Sequence, residues 1–156
     1  KPDFSGKKLP SYRSRWHYTS DRITNNPYTI DITKSIIRKD DLDSVIIVLN
    51  KKTDGSEFLD LNWTSKNTIY FIPTKNIDEL LLSKLPDICG VAFVRKSYFK
   101  NGIAIAHEGV LIDNMELIHA SSEQQKTVKV NLLDYINNNG SPRFDGIMFY
   151  RFYSQG

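Results

Sequence analysis

A single cysteine, Cys89, stands in 156 residues, so no disulfide can form within the chain. A lone thiol says little about compartment. No apolar run approaches the ~20 residues that a helix needs to cross a bilayer, and no membrane span is expected. No signal peptide is read at the start, where Lys1-Pro2-Asp3 leads into further polar residues. That fits a cytosolic protein, or the mature or trimmed form of an exported one. An excess of one charge is missing too: the net charge is +3, and the 21 Lys and Arg are scattered. Nucleic acid is therefore not an expected partner, although mild basicity suits an anionic polymer. There is no glycine-rich loop ahead of a helix, which removes the usual cradle for phosphate. Internal repeats and low-complexity segments are also absent.

What is present reads as one globular domain over 1–156, with 40% hydrophobic and 25% charged residues. Residues 1–12, with two prolines and a glycine, read as an extended arm. A short helix is expected from about Trp16 to Thr24, ended by Asn25-Asn26-Pro27. Tyr28–Ile37, Val45–Leu49, Phe58–Trp63 and Thr68–Ile72 read as strands. Asn76 is placed to cap a helix over Ile77–Lys84. From 88 to 152 the pattern is antiparallel: strands at Ile88–Arg95, Ile103–Ile112, Glu116–Ala120, Thr127–Val130 and Gly146–Phe152. One helix interrupts them, Leu132–Asn138, capped by Asn131 and closed by Asn139-Gly140. The expected class is α+β, with a curved antiparallel sheet in the C-terminal half.

The stretch Ile103–Ser122 carries the chemistry. Asp113-Asn114 turns easily, because both residues tolerate left-handed backbone angles. The result is a hairpin with His107 on one strand and His119 on the other. Loop length decides whether they meet. A two-residue loop pairs Ile112 with Met115 and leaves the histidines on opposite faces. A three-residue loop, Asp113–Met115, pairs Ile112 with Glu116 and Gly109 with His119, so the two imidazoles share a face. The second register is the one expected here.

Three kinds of chemistry can be weighed against these residues. His107-Glu108 looks like the start of a zinc-binding helix, but Leu111 stands where the second histidine belongs, and the setting is a strand. His17, His107 and His119 could gather a metal only through the fold; neither a metal nor a cofactor is expected. Phosphate binding lacks its loop. Nucleophilic catalysis remains, with one histidine taking the nucleophile's proton and the second orienting the first.

HEGVLIDNMELIHASS resembles the histidine hairpin of NlpC-type cell-wall peptidases, papain-like cysteine amidases. More narrowly, SRWHYTSDRITNN, HASS followed by TVKVNLLDYI, and FDGIMFYR resemble the branch described as N-acetylmuramoyl-L-alanine amidase-like. The resemblance implies a papain-like fold, a peptidoglycan or muropeptide substrate, and a place in the bacterial envelope or outside the cell. It makes His107 the general base and His119 the group that holds its ring, with Ser121 a second candidate for that third position. Arg15, His17 and Tyr18 would line the substrate groove.

One departure stands out. The family's cysteine begins a helix upstream of the SRWHY-like stretch, where the helix dipole lowers its pKa, and no such segment precedes residue 13. Cys89, in LPDICGVAF, reads as a core residue. Either a Cys-bearing segment lies upstream of Lys1, or the protein is a wall-binding or regulatory relative without a nucleophile. Without the nucleophile's helix, the strands at Ile88–Arg95, Ile103–Ile112 and Gly146–Phe152 are expected to leave an apolar face bare. An upstream segment, the N-terminal arm or a second copy would then cover it.

Overall fold

The computed structural model describes residues 17–153, so the arm at 1–12 lies outside the described residues, as do Arg15 and Trp16. The architecture is mixed α and β around one large antiparallel sheet. Its strands are β1 (Thr29–Asp31), β2 (Asp43–Leu49), β3 (Ser65–Pro73), β4 (Ile88–Val94), β5 (Ile105–Ile112), β6 (Glu116–Ser121), β7 (Lys126–Asn131) and β8 (Gly146–Phe152). The order across the sheet is β2-β3-β8-β4-β5-β6-β7, with β1 also paired to β8. The sheet thus reaches beyond the C-terminal half, since β1, β2 and β3 extend it through β8. Among the described residues three short α-helices accompany it: α1 (Thr19–Asn25), α2 (Glu79–Leu82) and α3 (Leu132–Ile136). Among the described residues no helix is long and apolar enough to cross a membrane.

The central strand β4 shows why the sheet holds. Every residue from Cys89 to Val94 is buried, so its two faces feed two separate cores. Cys89, Val91 and Phe93 join Ile72, Leu111, Leu117, Ile147 and Phe149 under α2 and α3. Ala92 and Val94 face the other way, into a core with Tyr18, Ile23, Leu49, Phe71 and Tyr150. Burying a side chain such as Phe93 contributes about 1.5–3 kcal/mol. The apolar face expected to be bare on β4 and β8 is therefore covered, on one side by α2 and α3 and on the other by α1 and the segment 50–63. Only the strand ends stay open, at Ile88 and Phe152.

Several elements differ from the sequence reading, each because a side chain supplies the backbone's hydrogen bond. Tyr28–Ile37 gives a strand only at Thr29–Asp31. Asp31 then accepts from the Thr33 amide, and the buried Thr33 hydroxyl bonds both the N–H and the C=O of Phe149. Phe58–Trp63 forms no strand. Asn50, fully buried at φ 66°, donates to the carbonyls of Leu59 and Trp63 and accepts from the Leu59 amide. Asp78, not Asn76, caps α2, accepting from the Leu81 amide at 2.8 Å, while Asn76 donates to the Asp41 carbonyl. That helix is correspondingly shorter than Ile77–Lys84. By contrast, Asn131 caps α3 as expected, accepting from the Asp134 amide, and β8 spans Gly146–Phe152 as expected.

The hairpin has the three-residue loop. Ile112 pairs with Glu116 and Val110 with Ile118, and Asp113 and Asn114 take φ of 52° and 59°. One residue before His107, β5 carries an irregularity: Phe93 pairs with His107 but Val94 with Ile105, leaving Ala106 as an extra residue. Gly109 stands where the two strands press closest. A Cβ there would lie 2.7 Å from the Ile118 carbonyl oxygen and 3.2 Å from the His119 Cβ. Gly109→Ala is expected to cost about 1–3 kcal/mol through this crowding, measured by denaturant melts. It should also move the His119 ring signals in an NMR spectrum, which a change confined to distant packing would leave in place.

Candidate active site

His107 and His119 meet through a ring-to-ring hydrogen bond, His107 Nε2 to His119 Nδ1 at 2.9 Å. Backbone and packing fix both rings. The imidazole of His107 stacks against Phe93 with centroids 5.8 Å apart, and that of His119 sits 4.6 Å from the Tyr135 ring. Phe93 in turn stacks on Phe144 at 4.6 Å. The pair opens into a cavity of about 360 Å³, whose walls include Ser121, Glu123, Tyr135, Arg95 and Arg143. Among the described residues the His107 Nδ1 makes no hydrogen bond, so that nitrogen is the one left for a reacting group.

The electrostatics of the site favour the neutral form of both rings. Burial lowers the pKa of His107, helped by the positive charge of His119 and Arg95 and opposed by Glu108. Burial also lowers His119; the Ala120 backbone opposes this and Arg143 adds to it. Neutral imidazole is the form that accepts a proton.

The other residues singled out in the sequence fall in different places. Ser121 reaches the cavity wall, but its Oγ accepts from the Gln124 amide at 3.2 Å, and His119 holds the position next to His107. Tyr18 is buried on the opposite face of the sheet, where its hydroxyl donates to Asn50 and its ring lies 5.9 Å from Trp63. His17 lines a separate cavity of about 110 Å³ with Tyr18, Phe58 and Ile103. The fold therefore does not bring His17 or Tyr18 to the histidine pair, and the three histidines do not converge. Tyr135, Phe144, Arg95 and Arg143 escaped the sequence reading. They come from α3, from the end of β4 and from the approach to β8, and no local spacing links them.

Cys89 is fully buried in β4, and burial pushes its thiol up to about 12. It shares a sheet face with Phe93 but lies four residues along the strand, about 13 Å from the point where His107 pairs. Its burial, its weak acidity and its distance from His107 all argue against this thiol as a nucleophile.

Residues 4–144 match the family model described as AmiA-like, N-acetylmuramoyl-L-alanine amidase-like. The chain belongs to this family. No curated protein sequence matches it. Among solved structures it is similar to a Legionella pneumophila protein of the family model DUF1460, at 23% identity, 96% of this chain and 65% of that one, with a TM-score of 0.71. It is also similar to an N-acetylmuramoyl-L-alanine amidase from Bacteroides uniformis, at 23% identity, 94% of this chain and 68% of that one, with a TM-score of 0.64. A Bacteroides fragilis protein described as a candidate xylanase matches at 21% identity, 94% of this chain and 69% of that one, with a TM-score of 0.64. At such identities these likenesses show a shared fold. The AmiA-like chain spans about two thirds of their length. A glycosidase works with two facing carboxylates, and among the described residues lining the cavity beside the histidines Glu123 is the one carboxylate.

Two outcomes test this picture. Cys89 should react slowly with a thiol reagent in the native state and fast after unfolding, and Cys89→Ser should cost about 1–3 kcal/mol. Both histidines have folded pKa values below the ordinary 6.5. The unfolded chain therefore takes up protons first as pH falls. The stability they confer should be complete above about 6.5 and decline as pH drops through their folded values. Melts from pH 8 to 5 should show that slope, and His107→Phe should flatten it.

Proposed function

We propose that this chain carries the base half of a peptidoglycan amide hydrolase working by a cysteine–histidine mechanism, in an NlpC-type, papain-like active site. The observation that carries the reading is the 2.9 Å bond between His107 and His119 at the wall of an open cavity, in an AmiA-like chain. In this role His107 bears its proton on Nε2 and donates it to Nδ1 of His119. Its Nδ1 is then free to take the proton of a thiol and later to hand it to the leaving amine. His119, being neutral, orients the ring rather than balancing its charge.

The thiol is not Cys89. We assign it to a segment upstream of Lys1, a reading that the greater length of the similar solved structures supports. The described chain would then be the C-terminal portion of the enzyme, acting in the cell envelope or outside the cell. The bond cut is the amide between the lactyl group and the first alanine, or one within the stem peptide. With Cys89 buried, a second reading is a wall-binding or regulatory relative that kept the groove and lost the thiol.

The deciding experiment takes the full-length gene product with purified peptidoglycan and follows the release of new amino groups. His107→Ala should lower turnover by about two to four orders of magnitude, as lost acid–base catalysis does, and His119→Ala by less. Near-normal turnover in His107→Ala would end the catalytic reading. Binding of peptidoglycan without any turnover, in a gene product with no further cysteine, would establish the second.

A further inference from the structure

Two guanidinium groups share the cavity with the histidine pair. Arg95 lies over Phe144 at 5.0 Å and over Tyr98 at 5.6 Å, and its Nη2 donates to the Arg143 carbonyl at 3.1 Å. Arg143 lies over Tyr135 at 4.7 Å, and its Nε donates to the Tyr135 carbonyl at 2.9 Å. Each arginine has five N–H donors, so these contacts fix both planes while leaving most donors unspent. Among the described residues the acid nearest to either is Glu123, 3.7 Å from Arg143 Nη1, with its side chain 80% exposed. An exposed acid at that distance neutralises little. Among the described residues Arg95 has no carboxylate partner.

The wall of the cavity is therefore positive where the chemistry would prefer otherwise. Arg95 opposes protonation of His107 and Arg143 that of His119. Two planar cations, pre-set by aromatic rings and short of anions, match the geometry of a carboxylate, which guanidinium groups hold in bidentate fashion. Phe144 lies 6.4 Å from the His107 ring and Tyr135 4.6 Å from that of His119. Each guanidinium is thus one ring removed from the base it flanks.

We propose that Arg95 and Arg143 form a carboxylate-binding subsite of this cavity, beside the histidine pair. The choice of ligand rests on the amidase reading above, whereas the anion site itself does not. Peptidoglycan offers a carboxylate from two sources. One is the lactyl arm of muramic acid, which becomes a carboxylate when water adds across its amide and the amine leaves. The other is an acidic residue of the stem peptide.

The test follows the histidine ring signals by NMR while N-acetylmuramic acid, its uncharged methyl ester and the dipeptide L-Ala-D-Glu are added in turn. At least one acid should bind about tenfold or more tightly than the ester, as expected for a charge-assisted pair. The tighter of the two acids names the source. Arg95→Gln should abolish this preference and Arg95→Lys should keep part of it. Arg143→Gln should act likewise if a melt shows it folded; otherwise the Arg95 variants and the ester decide. Equal binding of acids and ester, or an unchanged preference in folded Arg95→Gln, would overturn the subsite. In the full-length protein Arg95→Gln should raise KM with kcat changed less. Acid binding without hydrolysis in that protein would keep the subsite and remove the amidase reading. Hydrolysis with no acid preference would do the reverse.

Discussion

The register of one hairpin decides whether this protein has a site at all. Side chains alternate along a strand, so moving the β5–β6 pairing by one residue would carry His119 to the opposite face. The turn sets that register: Asp113 and Asn114 both accept positive φ, and Met115 completes the loop. Gly109 then lets the strands approach where a methyl group would collide with the Ile118 carbonyl. The extra residue at Ala106 follows from the mismatch between β4 and β5, and both Ala106 and His107 line the cavity. Turn, glycine and bulge are three local devices with one result, a pair of imidazoles in contact.

Much of this was legible in the sequence, for an identifiable reason. Strands β4, β6, β7 and β8 are short apolar or alternating runs between turn residues, and their periodicity carries the information. The histidine contact followed from counting residues around Asp113-Asn114. Elements failed to form where a polar side chain does a backbone's work at long range. Thr33 bonds to Phe149 and Asn50 to Leu59 and Trp63, and no pattern in a linear sequence displays such partners. The walls of the cavity were hidden for the same reason. Tyr135 looks like an ordinary residue of an amphipathic helix until α3 lays it beside His119.

A bare apolar face is what the papain-like resemblance implies when the nucleophile's helix is absent. The covering of β4 and β8 instead comes from pieces that look minor in the sequence: a one-turn helix at Glu79–Leu82, a five-residue helix at Leu132–Ile136, and the loop that Asn50 anchors. Short elements suffice because each needs to seal only a few side chains of an already wide sheet.

Two bases joined by one short hydrogen bond do not hold protons independently. The first proton to arrive would be shared across the His107–His119 bridge, and the second would meet its charge as well as those of Arg95 and Arg143. The pair therefore titrates in two steps that belong to neither residue alone. Between those steps the added proton belongs to the bridge rather than to one ring, able to lie nearer either as a neighbouring anion comes or goes.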